Sequence, residues 1–141
     1  AAAGLRRMGW GDRITNYLDP EDCLPAVGQG ALAIECREAD ADVMDLLSRL
    51  NDAKTERAVR AERRFLGLLN GGCQVPIGAY AEAESGDEGS AIRLTAMVAS
   101  PDGSIFLRTE SSGTDPEAVG SGAANDLLSR GAARILDEAR E

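Results

Sequence analysis

Alternating apolar residues, interrupted by turn signals, place the strongest limit on how the second half of this chain can fold. The clearest stretch is Ile92 to Ala99, where every second residue is apolar and would face the same side of a strand. Pro101-Asp102-Gly103 is a strong turn signal, and Ile105 to Thr109 returns as a strand. Ile77 to Glu84 alternates more loosely. The pattern predicts three antiparallel strands, consecutive in sequence.

Helical patterns lie on both sides of the predicted strands. A helix is expected from about Lys54 to Leu69, and Asp115-Pro116-Glu117 predicts the start of another, with the aspartate as its cap. A last short helix is predicted from Ala132 to Ala139. From about Asn51 onward the sequence therefore predicts an α+β domain, a three-stranded antiparallel sheet with helices on one face.

The first 50 residues have a different character. Ala1 to about Met8 has the pattern of a helix end, and Asp40 to Leu50 carries a helical stripe of apolar residues. Between them, a glycine-rich turn at 28–30 leads into Ala31 to Cys36, a short apolar run that predicts a buried strand with Cys36 packed in a core. Because the opening helix has no visible start and no initiator Met, we expect the chain to begin partway through a longer protein.

Composition excludes several classes of partner. The chain has 141 residues and a formal net charge of −9, so a nucleic-acid partner is not expected, because phosphate binding needs a basic face. No apolar run approaches the roughly 20 residues that span a bilayer, and no leader precedes the chain, which predicts a soluble, cytoplasmic protein without a membrane partner. With three scattered cysteines and no histidine, no metal site is expected.

One cysteine stands in an unusual setting. Cys73 lies in the stretch NGGCQVPIG, between two glycines and a proline, on a turn rather than inside a helix or strand. The glycines thin the backbone in front of the thiol, so a bulky group could approach it. This setting favours a reactive or attachment site. The alternative is a small residue tucked under a loop.

The stretch from Glu62 to Gly78, ERRFLGLLNGGCQVPIG, resembles the signature of the hydroxymethylbilane synthase family, also called porphobilinogen deaminases. That signature is a Glu-Arg pair, an apolar spacer, a glycine, a small residue, the cysteine, and an aliphatic-Pro-aliphatic run ending in a small residue. Every position fits. The upstream stretch LPAVGQGALAIECR, from Leu24 to Arg37, is similar to the same family.

The resemblance implies a transferase of tetrapyrrole, and hence heme, biosynthesis. Family members join four porphobilinogen molecules head to tail into linear hydroxymethylbilane, with release of ammonia. They do so on a dipyrromethane cofactor, two joined pyrroles bound through a thioether to the loop cysteine. Cys73 matches that position, and thiolate is a suitable nucleophile for such an attachment. The implied partners are porphobilinogen, the growing oligopyrrole and the N-terminal half of the same protein.

The resemblance also implies further site residues. Gly72 beside the cysteine, and the turn of Gln29, Gly30 and Ala31, are expected to contact the cofactor. Arg37 and Arg63 are expected to bind pyrrole carboxylates, because the guanidinium fork matches a carboxylate at two points. For both, a surface salt bridge is the alternative. Other arginines of the same helix match no motif position and are expected on solvated faces, namely Arg57, Arg60 and Arg64.

The family's catalytic aspartate is expected upstream of this chain, so no catalytic residue is assigned within it. By resemblance, residues 1–24 are the tail of a second α/β domain and 25–50 a crossover hinge with the return strand and helix of a first. Residues 51–141 form the C-terminal domain that carries the cofactor. The chain alone is expected to be inactive. The competing interpretation is a non-catalytic α+β binding or regulatory module, in which Cys73 would be a free thiol.

Overall fold

A computed structural model describes residues 2–70 and 76–139. The chain begins with helix α1 (Ala2–Arg7), followed by a 3₁₀ turn at Gly11–Arg13 and a long segment of turns and irregular structure. Helices α2 (Ala41–Ser48) and α3 (Ala53–Leu68) come next. Then follow strands β1 (Ile77–Ala83), β2 (Ile92–Ala99) and β3 (Phe106–Gly113), and helices α4 (Pro116–Ser129) and α5 (Ala132–Glu138) close the chain.

The three strands form one antiparallel sheet in the order β1-β2-β3. Register pairs Ala79 with Ala96 and Ala81 with Leu94, and on the other side of β2 it pairs Leu94 with Ser111. Alternation therefore turns the small and aliphatic residues of β1 and β2 to one face, where α3 and α4 pack. The predicted α+β architecture is confirmed. The third strand begins one residue later and ends four residues later than its sequence pattern indicated.

Local signals explain where the elements begin. The Asp52 carboxylate accepts a hydrogen bond from the Thr55 N–H at the start of α3, and Asp115 accepts one from the Ala118 N–H at the start of α4. In the β2–β3 turn, Asp102 accepts from the backbone N–H of Ser104 at 3.1 Å. Its hydrogen bonds, the strongest from the Ser100 hydroxyl, lower the pKa of Asp102 to about 2. The Asp115 cap and the turn expected from sequence are therefore formed, and Asp52 is a further cap that the sequence interpretation had not assigned.

The core is built mainly from small side chains, with Phe65 as its one fully buried aromatic residue among those described. Small residues let α3 and α4 approach closely. A Cβ atom placed on Gly120 of α4 would collide with the carbonyl oxygen of Ala61 and lie 2.8 Å from the Cβ of Arg64. The helix crossing at Gly120 therefore has no room for a side chain.

We expect Gly120→Ala to destabilise the 141-residue chain by about 1–3 kcal/mol, because overpacking outweighs the gain in helix propensity. The matched control is Gly67→Ala on the exposed side of α3, where an added Cβ would meet nothing within 4 Å. That change should stabilise the chain by up to about 1 kcal/mol. Chemical denaturation of both variants measures the two effects. Equal shifts of the same sign would contradict this account of the helix crossing.

The prediction of a buried strand at 31–36 is wrong for this structure. These residues have no regular secondary structure, and Leu32 and Ile34 are 92% and 63% exposed. A strand needs a partner, and the three strands of the sheet pair only with one another. Cys36 therefore packs in no core. It is half-buried, with its Sγ atom 3.1 Å from the Sδ atom of Met44 on α2.

Arg57 was also misplaced by the sequence interpretation. It is 7% exposed rather than solvated, and one of its terminal nitrogens donates to the carbonyls of Ser90 and Thr114 at 2.7 and 2.8 Å. It joins the loop before β2 to the loop before α4. Arg60 and Arg64 lie on the exposed surface as expected, bonded to Glu117 and Ser121 of α4.

Candidate functional site

The glycine turn at residues 25–31 is held by its own backbone and by one side chain. The Gln29 N–H donates to the Ala26 carbonyl at 3.0 Å, and the Gln29 Oε1 atom accepts from the Ala26 N–H at 3.2 Å. Gly28 and Gly30 have φ values of +71° and +94°, a left-handed conformation that glycine adopts without strain. The side-chain oxygen of Gln29 thus closes the turn, so the NH2 group of the same side chain is the part that can donate to a ligand.

The turn is fixed to the rest of the molecule at two points. The Ala79 N–H of β1 donates to the Pro25 carbonyl at 3.0 Å, and the Gly28 N–H donates to the Oε2 atom of Glu62 at 2.7 Å. Gly78 has little room for a side chain, because a Cβ there would lie 3.2 Å from the Cβ of Leu24. The turn therefore packs against α3 and the first strand of the sheet.

Glu62 is the most unusual charged residue at this contact. Its side chain lies on the buried stripe of α3, only 5% of the residue is exposed, and its Oε1 atom accepts from the Ala81 N–H at 2.8 Å. Burial raises the pKa of Glu62, and the hydrogen bonds from Ala81 and Gly28 oppose that rise. No cation is paired with Glu62 in the part of the chain that the structure describes. The carboxylate is thus satisfied by two backbone donors alone.

Because burial raises the pKa of Glu62, the folded state binds this proton more tightly than the unfolded state does. The stabilisation from protonated Glu62 is therefore present below its ordinary pKa of 4.5 and is lost as pH rises through the raised value. We expect the free energy of unfolding of the native chain, minus that of Glu62→Gln, to decrease with pH across this window. Denaturation of both proteins at matched pH values measures it. An increase of this difference with pH would mean that the hydrogen bonds lower the pKa of Glu62 more than burial raises it.

Arg63 faces the cavity next to this contact. The cavity has a volume of about 490 Å³ and lies between the glycine turn and α3. Its lining includes Gly28, Gly30, Ala31 and Arg63. The Arg63 side chain is exposed and has no hydrogen-bond or ion-pair acceptor within residues 2–70 and 76–139. Its guanidinium is therefore available to an anion that enters this cavity.

The structure brings some of the predicted site residues together and separates others. Gly30, Ala31 and Arg63 share one cavity, and Gln29 lines a neighbouring one of about 420 Å³ beside Glu62. Arg37 lies away from both, with a side chain 88% exposed and its Nη2 atom 3.3 Å from Asp40. Gly72 and Cys73 lie outside the described residues.

The described residues on either side of the Cys73 segment follow α3 and precede β1, and both of these elements contact the glycine turn. Asn70 follows the end of α3, seven residues after Arg63, a separation of about 10 Å at the helical rise of 1.5 Å per residue. Pro76 leads directly into β1, whose Ala79 and Ala81 bond the turn and Glu62. The Cys73 segment thus connects, along the sequence, two elements that both contact the glycine turn.

Sequence interpretation did not assign a role to Glu62 or Arg57. Both lie at helical spacing from Phe65, Glu62 three residues before it and Arg57 eight residues before it, on the side of α3 that faces the core. A charged residue at an apolar position of a helical stripe must find a buried partner. That spacing was the sequence signal for a buried position, and the charge of the side chains had suggested exposure to solvent instead.

Within the described ranges, no group of three or more metal-ligating side chains is placed to hold an ion. None of the helices in these ranges combines the length and apolarity needed to cross a bilayer.

Comparison with known proteins assigns the family. The model described as "Porphobilinogen deaminase, C-terminal domain" matches residues 56–129, and the one described as "Porphobilinogen deaminase, dipyromethane cofactor binding domain" matches residues 1–45. A porphobilinogen deaminase from Geobacillus kaustophilus is 56% identical over 142 aligned positions, which cover 100% of this chain and 45% of the relative. One from Bacillus cereus is 57% identical, covering 96% of this chain and 43% of the relative. The chain thus spans less than half the length of these relatives, and it belongs to the porphobilinogen deaminase family.

Proposed function

We propose that this chain is the cofactor-carrying part of a porphobilinogen deaminase, a transferase that joins four porphobilinogen molecules into linear hydroxymethylbilane. One observation carries the proposal. The glycine turn and Arg63, which come from the two separately matched regions of the family, line a single cavity. Asn70, the last described residue before the Cys73 segment, lies about two helical turns beyond that arginine.

Several residues of this cavity suit a dipyrromethane cofactor linked to Cys73, while Asp52 and Glu56, which also line it, already accept hydrogen bonds from Thr55 and Asn51. A Cβ atom on Gly28 or Gly30 would meet nothing within 4 Å, so a flat pyrrole ring can approach the backbone there. Arg63 offers a two-point fork to the acetate or propionate of a ring. Gln29 and Ala31 would add amide and backbone contacts. When bound, the cofactor supplies the pyrrole carbon to which the first porphobilinogen is joined.

The proton transfers of the reaction are assigned to another part of the protein. Each addition breaks the aminomethyl C–N bond of one porphobilinogen, forms one C–C bond and releases one ammonia. A final water molecule frees the product. A carboxylate that handles these protons is expected in the upstream half that the relatives possess. Asp40, Asp42 and Asp45 lie on or beside α2, outside the lining of the Arg63 cavity.

The same proposal includes the domain boundaries and the compartment. Residues 1–24 and 25–50 are assigned to the two α/β domains and their crossover, and 51–141 to the C-terminal domain. The hydrogen bonds from the turn at 25–30 to β1 and Glu62 indicate that this turn moves with the C-terminal domain. A cytoplasmic location suits a protein whose attachment chemistry needs a reduced thiol.

The test uses the full-length protein that contains this chain. Porphobilinogen consumption and ammonia release are followed together, and the product is identified as linear or cyclic. The proposal predicts one ammonia per porphobilinogen and a linear tetrapyrrole. The alternative, a non-catalytic binding module, predicts no consumption and a free Cys73 thiol. That result would overturn the proposed function.

Arg63→Lys keeps the charge but loses the two-point fork, so we expect KM for porphobilinogen to rise about tenfold, the equivalent of roughly 1.4 kcal/mol. The matched control is Arg64→Lys, one residue along the helix, whose Nε atom bonds Ser121 instead. Its kinetics should be unchanged. From the resemblance, Arg37→Lys should also weaken substrate use. Steady-state kinetics of the full-length variants tests this. Identical kinetic constants for Arg63→Lys and the native protein would mean that Arg63 does not bind substrate or cofactor carboxylates.

A further inference from the structure

The Glu62 carboxylate collects two donors that are distant in sequence. Gly28 lies 34 residues before it and Ala81 lies 19 residues after it, and their N–H groups bond its two oxygens at 2.7 and 2.8 Å. Both bonds are shorter than an ordinary backbone hydrogen bond, as expected when the acceptor is charged. The carboxylate is buried and lacks a cationic partner within the described ranges. It therefore acts as a bridge between two backbone segments.

Only a carboxylate of this length satisfies that bridge. Two converging N–H donors need two acceptor atoms, and glutamine offers one acceptor and one donor. With glutamine at position 62, either Gly28 or Ala81 would face an N–H group and lose its partner. Aspartate offers both acceptors but is one methylene shorter, so it would reach both donors only if the turn and the strand moved toward α3. The chemistry and the length of Glu62 are thus both specified by the two donors.

Gly28 lines the Arg63 cavity, and Ala81 lines the neighbouring cavity with Gln29 and Glu62. Gly28 belongs to the turn that lines the Arg63 cavity, and Ala81 belongs to the strand that follows the Cys73 segment. Glu62 also immediately precedes Arg63 on α3. One buried side chain therefore links the turn, the strand after the attachment point and the helix that carries the carboxylate-binding arginine.

The edge of the sheet strengthens this link. The N–H groups of Ala79 and Ala81 point away from β2, and they donate to the Pro25 carbonyl and to the Glu62 carboxylate. An edge strand whose donors are occupied in this way cannot slide along its neighbours without breaking both bonds. The position of β1 relative to the glycine turn is thus set by one backbone contact and one side chain.

We propose that Glu62 is a positioning residue, which holds the glycine turn against α3 and β1 and so sets the geometry of the Arg63 cavity in which the cofactor would be bound. The inference rests on the proposed function. Both carboxylate oxygens of Glu62 are occupied by backbone donors. Its effect is carried by the turn and by β1, whose displacement by about 1 Å can slow a reaction about a hundredfold.

The experiment compares full-length variants Glu62→Gln and Glu62→Asp with a destabilised control, Arg57→Met. Arg57 lies in the same helix and bonds two backbone carbonyls, but it lines neither of the two cavities beside the turn. Three quantities are measured for each protein: the thermal midpoint, the fraction carrying dipyrromethane by intact mass, and kcat and KM per loaded molecule.

We expect Glu62→Gln to lower loading, or kcat per loaded molecule, by about tenfold to a hundredfold, and Glu62→Asp to recover part of that loss. Arg57→Met should lose at least as much thermal stability, with loading and kcat within about twofold of the native protein. A purely structural role is the contrary result: Glu62→Gln is destabilised like the control but keeps native loading and kcat.

Two further comparisons separate the possible outcomes of this experiment. If Glu62→Gln does not fold, Glu62→Asp decides alone: reduced loading or kcat supports the proposal, and native values overturn it. Failure of the proposed function would be seen in the native protein, which would then lack both dipyrromethane and porphobilinogen turnover. Failure of this inference alone would leave the native protein active and Glu62→Gln equally active.

Discussion

Cys73→Ser in the full-length protein is expected to abolish both cofactor attachment and porphobilinogen turnover. The thioether forms by attack of a thiolate on an electrophilic carbon, and a serine hydroxyl at neutral pH is a far weaker nucleophile. Without the covalent primer, the remaining site residues have nothing to extend. Intact mass should show the bare polypeptide, and the porphobilinogen assay should give background rates.

Cys36→Ser is the matched control for this result. Its thiol contacts Met44 of α2, and Cys36 lines neither the Arg63 cavity nor the one beside Glu62. Loading and turnover should therefore stay at the native level. Native activity in Cys73→Ser, or loss of loading in Cys36→Ser, would show that the attachment point is misassigned.

The second large effect is expected on stability. Arg57→Met keeps most of the apolar stem but removes the guanidinium that bonds the carbonyls of Ser90 and Thr114. Both hydrogen bonds are charge-assisted, and each such bond contributes roughly 1.5–3 kcal/mol. Part of this is offset because the Nε atom of Arg57, buried without a partner in the described structure, is also removed. We expect a net loss of about 2–4 kcal/mol in the free energy of unfolding.

Arg60→Met is the matched control for this change. Arg60 lies one turn along α3 and forms an exposed ion pair with Glu117, with its Nη2 atom 2.7 Å from Oε1. Exposed pairs of this kind contribute little, so the stability should hardly change. Denaturant unfolding of the 141-residue chain compares the two. Equal losses would mean that the two loops joined by Arg57 do not depend on it.

The sequence was sufficient to predict the C-terminal domain because its signals are local. The alternation in β2, the Pro-Asp-Gly turn and the aspartate caps each act within a few residues, and the structure forms all of them. The cysteine motif is equally local. Its recognition depended on spacing alone, so it needed no knowledge of tertiary contacts.

The errors concern features that depend on distant residues. A buried strand was expected at 31–36 because its residues are apolar, but pairing is decided by the edges available, and β1 has its edge donors bonded to Pro25 and Glu62. Arg57 was expected in solvent because it is charged, but loops 33 and 57 residues away bring carbonyls to it. Such partners have no signature near the residue itself.

The same distinction applies to the candidate site. The glycines and Arg63 were identified from motifs, and their shared cavity is consistent with that assignment. Glu62 was part of the motif but had no role until its two donors were located. The motif therefore predicted which residues form the site, and the structure added that Glu62 bonds the backbone of Gly28 and Ala81.

The most direct test of the central claim is the mass of the peptide that carries Cys73, isolated from the full-length protein as produced in cells. We predict that this peptide carries two linked pyrrole units through a thioether that survives proteolysis and reduction, while peptides with Cys23 and Cys36 are unmodified. An unmodified Cys73 peptide from freshly purified protein, or pyrroles on another residue, would contradict the assignment.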